Sequence, residues 1–416
     1  MSFFTPRVKM SDSKRKARER VARQPRTFAS WNVNSMGSRL KTQADREGLM
    51  AWIKEEAPDV LTLQEIKHAA AACSRRGEMA NKTPVQTEYI GLFSKFKNDL
   101  NADRAGKGYD VFLTLKADGG AAGQAILIRK DVQMPKLYYC FDCFPQETEK
   151  VYEDSGRIIV AAFTSLTVLS TYSPNNGGDA ASFARRAKWD TEAKDYVARL
   201  IKDGRQCVWM GDLNACTDEH DVSGKPEWWM KHKMGKGTDQ EKGSGNEGQA
   251  GFTANERARF KNTLAVTGLV DPYRMLHGNP DKGNADTDTG PFYTWRGTKG
   301  EIAGVARYEG KGMRIDYTLV TPALMQRVER ADITGRLDSR TLNPVGFFGS
   351  DHCPVILGFR EDLGGDGRTG EGSEAARAAC KRDGDGDGDG EEDGKYTKGP
   401  TSSKKKAKSV MDVLSG

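Results

Sequence analysis

The residues best suited to chemistry stand at the ends of predicted strands, in six short polar clusters. The clusters are Asn32 with Asn34, Glu65 with Lys67, Tyr172 with Asn175, Asp212 with Asn214, Asp316, and Asp351 with His352. Residues two apart on a strand share a face, so Asn32/Asn34 and Asp212/Asn214 each present two polar groups to one side. Carboxylates, amides and one histidine suit a hard, oxygen-liganded cation such as Mg²⁺, which assists phosphate-ester hydrolysis.

Each cluster taken alone has a plainer explanation. An Asp-x-Asn after a strand is commonly a turn or a helix cap, and a lone Glu before Ile-Lys is commonly a solvated surface residue. Six such clusters at strand ends form a coherent set, which favours one shared site. The sequence contains no G-x-S-x-G motif and no P-loop motif, so it does not indicate a serine nucleophile or a P-loop nucleotide site.

Short β-rich segments dominate the middle of the chain, and helical segments interrupt them irregularly. Strands are predicted at TFASWNV, DVLTL, AGQAILIRK, RIIVAAFTS, LTVLSTYSP, QCVWMGDLN, MRIDYTLVTP and CPVILGF. Helices are predicted before Pro58, from about Phe183 to a cap at Gly204, and from Ala254 to Gly268. The pattern predicts an α+β protein, a four-layered α/β sandwich with two mixed β-sheets flanked by helices.

Composition divides the 416 residues into three parts. Residues 1–26 are predicted to be a disordered tail, whose basic run at 13–20 has the charge density of a nuclear import signal or a nucleic-acid-binding arm. Residues 27–360 are predicted to form the catalytic domain, with 222–250 as an inserted loop rich in Gly, Lys and Trp. Residues 361–416 are of low complexity and are predicted to be disordered.

Charge, cysteine content and hydropathy set further limits. The net charge of +6 permits a polyanionic partner without requiring one. The seven cysteines show no paired zinc spacing. Cys140 and Cys143 are expected to be plain thiols in a reducing compartment, with a redox pair as the alternative. No segment approaches the roughly 20 apolar residues of a membrane span, so no membrane partner is expected.

Seven motifs occur in a fixed order along the chain. They are SWNVN, LTLQEIK, YSPN, GDLN, GFT-x-x-ER, RIDYTLV and GSDHCPV. Together they resemble the endonuclease/exonuclease/phosphatase superfamily, and in particular its branch of bacterial exonuclease III and eukaryotic apurinic/apyrimidinic endonucleases. The resemblance covers about residues 27–359, and the ordered set is specific although no single motif is. It implies a DNase I-like fold.

The resemblance also implies a metal site. Glu65 would hold Mg²⁺, or alternatively Mn²⁺, with Asn34 and Asp351 completing the shell through water. Lys67 would support Glu65 and contact the substrate backbone. The residues that would bind the phosphate are Tyr172 and Asn175.

A catalytic group follows from the same resemblance. Asp212 would align and deprotonate the attacking water, with Asn32 orienting Asp212 and Asn214 positioning the water. His352 would contact the scissile phosphate, and Asp316 would fix the tautomer of His352 and raise its basicity.

The resemblance further implies a small apolar pocket for a flipped, baseless sugar. Its candidate residues are Trp295, Met313 and Ile315, with Arg314 as an additional substrate-binding candidate. The sequence departs from the family pattern at Arg296, where a second aromatic is expected, and at Gly178, where eukaryotic relatives carry an arginine. The loop at 222–250 is expected to compensate, because Lys contacts phosphate and Trp can stack on bases.

These features predict a Mg²⁺-dependent endonuclease of base-excision repair that cleaves duplex DNA 5′ to abasic sites. Additional 3′-phosphodiesterase and 3′→5′ exonuclease activities are expected, as are a monomeric state, a nuclear location (alternatively mitochondrial or other organellar) and repair-protein contacts through the tails. One alternative is a phosphoesterase of the same fold that acts on RNA or on inositol or lipid phosphates. Another is a weakly catalytic nucleic-acid-binding protein.

Overall fold

The fold is taken from a computed structural model of the full chain. It describes residues 23–68, 84–102, 108–116, 122–141, 156–177, 179–231, 243–281, 290–297, 311–341 and 343–361. The chain divides into two units, Met1–Glu361 and Asp362–Gly416, and the second lies outside the described residues, as does the basic run at 13–20. No helix among the described residues is long and apolar enough to cross a membrane.

Fifteen strands and eight α-helices are described. The strands are β1 (Thr27–Asn32), β2 (Val60–Gln64), β3 (Tyr109–Thr114), β4 (Gln124–Arg129), β5 (Lys136–Tyr138), β6 (Ile158–Ala162), β7 (Thr167–Tyr172), β8 (Cys207–Asp212), β9 (Trp295–Arg296), β10 (Gly312–Met313), β11 (Asp316–Val320), β12 (Val328–Ile333), β13 (Arg336–Leu337), β14 (Pro344–Val345) and β15 (Val355–Phe359). The helices are α1 (Met36–Lys41), α2 (Gln43–Glu56), α3 (Pro84–Leu100), α4 (Ala180–Lys202), α5 (Pro226–Lys231), α6 (Ala254–Thr267), α7 (Pro272–His277) and α8 (Pro322–Met325).

The strands form two principal sheets. The first has six strands in the order β12-β15-β1-β2-β4-β3, and the second has five in the order β11-β8-β7-β6-β5. Each contains one parallel pair, β1 with β2 and β7 with β8, while the other pairs are antiparallel. Helices cover the outer face of each sheet. The prediction of two mixed sheets flanked by helices is confirmed.

Side-chain alternation along the strands decides which residues face the space between the sheets. Phe28 and Val208 lie in the core shared by both sheets, whereas Trp31 and Trp209 pack outward under the helices. Because side chains alternate with a period of two, Asn32 at the end of β1 and Asp212 at the end of β8 face the same way as Phe28 and Val208. Inward-facing positions therefore end in polar side chains at one open edge of the sandwich.

A buried polar layer separates the apolar core from that edge. Ser30 Oγ accepts from Thr62 Oγ1 and Gln64 Nε2, both at 3.0 Å, and Ser170 Oγ donates to Gln124 Oε1 at 2.9 Å. Gln64 Nε2 also approaches Ser170 Oγ at 3.4 Å, which joins the two sheets. Buried polar groups are costly unless bonded, so this network fixes one relative placement of the strands near the site.

Two features differ from the sequence-based expectations. The predicted disordered tail is wrong for residues 23–26, because Arg23 pairs with the buried Asp59 at 2.5 Å and the amide of Arg26 donates to the same carboxylate at 2.7 Å. Cys140 is disulfide-bonded, so the prediction of a plain thiol is wrong there, and Cys143 lies outside the described residues.

Gly211, immediately before Asp212, has a conformation that only glycine tolerates. Its φ is +136°, and a Cβ at this position would lie 2.0 Å from the carbonyl oxygen of Thr171 on β7. We expect Gly211→Ala to lower the free energy of unfolding by about 2–5 kcal/mol, since backbone must move. Gly204→Ala is the control, because φ is also positive (+76°) but nothing lies within 4 Å; its cost should be about 1 kcal/mol. Urea unfolding measures both, and equal losses would contradict the prediction.

Candidate active site

The predicted polar clusters converge at the open edge between the two sheets. Asp212 ends β8, and its registered neighbours are Tyr172 at the end of β7 and Asp316 at the start of β11. Asn32 ends β1 of the other sheet and reaches across, with its Nδ2 donating to Asp212 Oδ2 at 2.8 Å. The edge therefore brings side chains from both sheets together.

Asp212 is held by three hydrogen bonds and is only 1% exposed. Besides the Asn32 contact, the backbone N–H of Asn214 donates to Oδ1 at 2.9 Å, and Asn214 Nδ2 lies 3.3 Å from Oδ2. Asn214 Nδ2 also donates to the carbonyl of Ser173 at 2.9 Å, which fixes the amide. The carboxylate is consequently oriented before any substrate arrives.

His352 stands between two carboxylates. Its Nδ1 donates to Asp316 Oδ2 at 2.9 Å, and its Nε2 lies 4.0 Å from Asp212 Oδ2. Its backbone is fixed as well, since Trp31 Nε1 donates to the His352 carbonyl at 2.9 Å and Ser350 Oγ accepts from its N–H at 3.1 Å. The Asp316 contact leaves Nε2 directed toward the open edge beside Asp212.

The pKa values of Asp212 and His352 are both shifted far from their usual values. Burial raises the pKa of Asp212 to about 7, and the neighbouring Asp316 carboxylate adds to the increase. Burial alone would lower the pKa of His352, but the charge and hydrogen bond of Asp316 outweigh it and raise that pKa to about 10. A cationic imidazole beside a carboxyl group that titrates near neutrality suits general-base chemistry on an anionic substrate.

A second polar group forms around Glu65. Lys67 Nζ contacts Glu65 Oε2 at 2.7 Å and Asn34 Oδ1 at 2.6 Å, and the Tyr172 hydroxyl donates to Glu65 Oε1. Asn34 Nδ2 in turn donates to Asp351 Oδ1 at 2.9 Å. Burial would raise the pKa of Glu65, but the Lys67 ammonium and the Tyr172 hydroxyl keep it below its usual value, so Glu65 is ionised.

Several of these residues have left-handed backbone conformations, which are uncommon outside glycine. The φ values are +42° for Asn34, +55° for Glu65, +54° for Lys67 and +47° for Asn214. Such conformations cost about 1–3 kcal/mol each and persist where surrounding contacts fix them. Backbone hydrogen bonds fix such a conformation at Lys67, whose amide donates to the Ala122 carbonyl at 2.8 Å. Their concentration at one edge supports its assignment as the functional site.

Comparison with known proteins identifies the family. Residues 29–352 match the model of the endonuclease/exonuclease/phosphatase family. A DNA-(apurinic or apyrimidinic site) endonuclease of Arabidopsis thaliana is 32% identical over 85% of this chain and 90% of its own length. The chain belongs to the endonuclease/exonuclease/phosphatase family. The resemblance read from the seven ordered motifs is thereby confirmed.

Two further comparisons are informative. An exodeoxyribonuclease of Streptococcus pneumoniae is 26% identical over 79% of this chain and 97% of its own length. Among solved structures, an AP endonuclease from Leishmania major superposes with a TM-score of 0.54 at 21% identity, covering 86% of this chain and 93% of that one. At this level of identity, the structural likeness supports the shared fold.

Members of the family depend on divalent metal ions, and one candidate group here is Asp212, Asp316 and His352. Each offers one ligand atom, and these atoms lie within 4.8 Å of one another. However, Nδ1 of His352 is engaged by Asp316, so the ring offers only Nε2 to a ligand. The raised pKa of His352 favours the protonated ring, in which Nε2–H can donate to a phosphate oxygen.

The group around Glu65 fits a metal better. It offers oxygen donors from Glu65, Asp351 and Asn34, which suit Mg²⁺. A cation already lies against two of them, because Lys67 Nζ touches both Glu65 and Asn34. Both Asp351 oxygens accept hydrogen bonds, from Asn34 and from Trp295 Nε1 at 3.0 Å, which agrees with an outer role for Asp351 through water.

The three candidate pocket residues lie beside this site but differ in exposure. Trp295 is half-buried and bonded to Asp351, whereas Met313 and Ile315 are 2% and 6% exposed. Met313 and Ile315 pack in a cluster with Trp229 of the inserted segment. Trp229 is fully buried, so the expectation that it stacks on bases is wrong; Trp228 is half-buried, with Lys311 Nζ 4.6 Å from its ring centroid.

The prediction that Arg314 binds substrate is wrong. Its side chain alternates to the face opposite Met313 and Ile315, is 1% exposed, and pairs with Asp221 at 2.7 Å and Asp271 at 2.6 Å. Arg314 therefore holds the short segment between β10 and β11, where Ile315 also lies.

The remaining candidates fall outside the central contacts. Asn175 is exposed on the loop before α4, and its proposed phosphate contact stays a prediction. Arg296 is buried, with its guanidinium 5.3 Å from the ring centroid of Tyr293, so it does not stand where a second pocket aromatic would. Gly178 and residues 232–242 of the inserted loop lie outside the described residues.

Sequence reasoning missed residues that support the site. Arg157 donates to the Tyr172 carbonyl at 3.0 Å, and its guanidinium lies 4.4 Å from the Tyr172 ring centroid. Ser173 orients Asn214 through its carbonyl, as described above. An arginine before a strand and a serine in a turn are common in all classes of protein, so no local sequence pattern indicates the roles of Arg157 and Ser173.

Proposed function

We propose that this protein is a Mg²⁺-dependent DNA repair endonuclease that hydrolyses the phosphodiester 5′ to abasic sites in duplex DNA. The observation that carries the proposal is the buried Asp212 carboxylate, oriented by Asn32 and Asn214 and facing the His352–Asp316 pair. The relatives named as DNA-(apurinic or apyrimidinic site) endonucleases support the substrate class.

Asp212 takes the proton of the attacking water, and Asn214 positions that water. The water oxygen attacks the phosphorus, and the bond to the 3′ oxygen of the preceding nucleotide breaks. That oxygen takes a proton from solvent water, which leaves a 3′-OH and a 5′-deoxyribose phosphate. His352, held by Asp316, donates Nε2–H to a phosphate oxygen and so stabilises the charge that develops there.

Glu65 would hold Mg²⁺, with Asn34 and Asp351 contacting it through water, and Mn²⁺ is the alternative ion. When bound, the ion supplies positive charge to the phosphoryl oxygens. Lys67 and Tyr172 orient Glu65, while Asn175 and Lys67 bind the substrate backbone.

The decisive experiment uses a labelled duplex with one tetrahydrofuran abasic analogue, incubated with Mg²⁺ or with EDTA. The expected result is a single Mg²⁺-dependent incision 5′ to the analogue. Hydrolysis of single-stranded RNA or of a phosphoinositide, with the duplex left intact, would overturn the substrate assignment. Binding without any cleavage would favour a nucleic-acid-binding protein.

Replacing Glu65 by Gln tests the metal assignment. An amide oxygen carries no full negative charge, so the Mg²⁺ concentration for half-maximal incision should rise about 10–100-fold, while the rate at saturating Mg²⁺ falls less. Glu55→Gln, at an exposed position on α2, is the matched control. A Mg²⁺ titration of the initial rate measures both, and an unchanged half-maximal concentration would remove Glu65 from the metal site.

Processing of 3′ ends is a second candidate activity. The exodeoxyribonuclease relative supports it. The same assay with undamaged recessed duplexes and with 3′-phosphoglycolate ends separates this activity from internal incision.

The partner and location follow the proposed reaction. The partner is double-stranded DNA containing abasic sites, bound by a monomer, with repair proteins contacting the two tails. The location is the nucleus, or alternatively a mitochondrion or another organelle. Imaging of the full chain and of a chain with the basic run at 13–20 replaced by alanines distinguishes these locations.

A further inference from the structure

Arg186 on α4 is an almost fully buried arginine whose hydrogen bonds end on the loops of the active site. It is 2% exposed, although the preceding residue on the helix, Arg185, is exposed. Its Nη1 donates to the carbonyls of Pro174 and Asn214, both at 2.9 Å, and its Nη2 donates to the carbonyl of Leu213 at 2.7 Å.

The two loops joined by Arg186 carry different parts of the site. One follows β8 and contains Asn214, which has a left-handed backbone with φ of +47°. The other follows β7 and leads from Tyr172 through Pro174 to Asn175. A direct bond between the loops, from Asn214 Nδ2 to the Ser173 carbonyl, lies at the same junction.

The charge of Arg186 is itself anchored. Its Nε donates to Asp190 Oδ1 at 2.8 Å, and Arg259 on α6 donates to the other oxygen of the same carboxylate at 2.8 Å. An unpaired buried charge would be strongly destabilising, so Asp190 offsets the desolvation of Arg186. The guanidinium of Arg186 is thus bonded to the helix through Nε and to the two loops through Nη1 and Nη2.

We propose that Arg186 is a positioning residue that sets the geometry of Asn214, and through it of Asp212, relative to the phosphate-binding loop. The expected loss of incision rate rests on the proposed function, whereas the role of Arg186 in fixing the two loops does not. A strained residue such as Asn214 keeps its conformation only where several contacts fix it. Arg186 supplies such a contact at the Asn214 carbonyl, on the opposite side of the residue from its bonds to Asp212.

Arg186→Lys is the informative variant, because lysine keeps the charge but loses the planar fork that reaches three carbonyls at once. Small displacements of a catalytic group cost about 10²-fold in rate. We expect the single-turnover incision rate to fall about 10–100-fold, with the Kd for abasic duplex in EDTA changed less than about threefold. Arg185→Lys, one position away on the exposed face, should leave both values unchanged.

A second measurement separates positioning from general support of the fold. Hydrogen exchange followed by mass spectrometry should show faster exchange in Arg186→Lys at residues 173–177 and 213–217, with the strands of both sheets unchanged. If the thermal midpoint falls while the rate per folded molecule and the exchange of both loops match the wild type, Arg186 only supports the fold and the proposal is wrong.

Two arms keep the outcome unambiguous. Should Arg186→Lys not fold, Asp190→Asn retains the arginine but weakens its anchor, and it should show the same loop-specific exchange with a smaller loss of rate; unchanged loops would overturn the proposal. If the wild type cuts no abasic duplex, the proposed function fails, whereas the exchange comparison still decides whether Arg186 fixes the loops.

Discussion

Asp212→Asn is expected to reduce the single-turnover incision rate by about 10³-fold, with little change in duplex affinity. The amide keeps the size of the side chain, and its one oxygen can still accept from the backbone N–H of Asn214. Its amino group cannot accept from Asn32 Nδ2, so that one bond is lost while the packing of the site should persist. The amide cannot, however, accept a proton from water at neutral pH. The measurement is the cleavage rate of a tetrahydrofuran-containing duplex with enzyme in excess, together with the Kd in EDTA.

The control for this variant is Asp203→Asn, at the exposed C-terminal cap of α4. It makes the same chemical change on the same chain and should leave the rate unaltered. A rate within tenfold of wild type for Asp212→Asn would mean that another group removes the proton. Loss of affinity in proportion to the loss of rate would instead indicate that Asp212 binds the substrate.

The fold and the central site could be predicted because both depend on local pattern. Alternation along β1 and β8 places Asn32 and Asp212 on inward faces, and ordered motifs supply the relation between distant strands. The C-terminal end of α6 was placed correctly, since Gly268 adopts φ of +65° at the cap. In contrast, α3 and β12 were not predicted. In β12 two adjacent charged residues, Glu329 and Arg330, break the alternation of apolar side chains.

The supporting residues could not be predicted because their roles are set by distant contacts. Arg186 lies in a helix with five other basic residues, and only packing shows that it alone among its neighbours Arg185 and Lys188 is buried. The prediction for Arg314 was wrong because it followed from the neighbouring residues in the sequence, whereas the contacts of Arg314 are with distant ones. It is flanked by two pocket candidates, but its own side chain pairs with the buried Asp221.

The pH dependence of the reaction should follow the coupled pair at the centre of the site. Asp212 must be ionised to accept a proton, so the rate rises as pH passes through about 7. His352 must be protonated to donate to phosphate, so the rate falls as pH passes through about 10. At saturating metal, kcat/KM against pH should therefore form a plateau between these limits.

Asp316→Asn gives this assignment its sharpest test, because Asp316 raises the pKa of both partners. Removing its charge lowers the pKa of Asp212 and that of His352, so both limbs of the profile should move to lower pH. His352→Asn should act differently: the descending limb disappears, and the ascending limb moves to higher pH because the imidazolium lowers the pKa of Asp212. Profiles of wild type and both variants, measured at saturating Mg²⁺, decide the matter. Limbs that stay in place in Asp316→Asn would show that this buried carboxylate only orients His352, without setting the charge on either member of the pair.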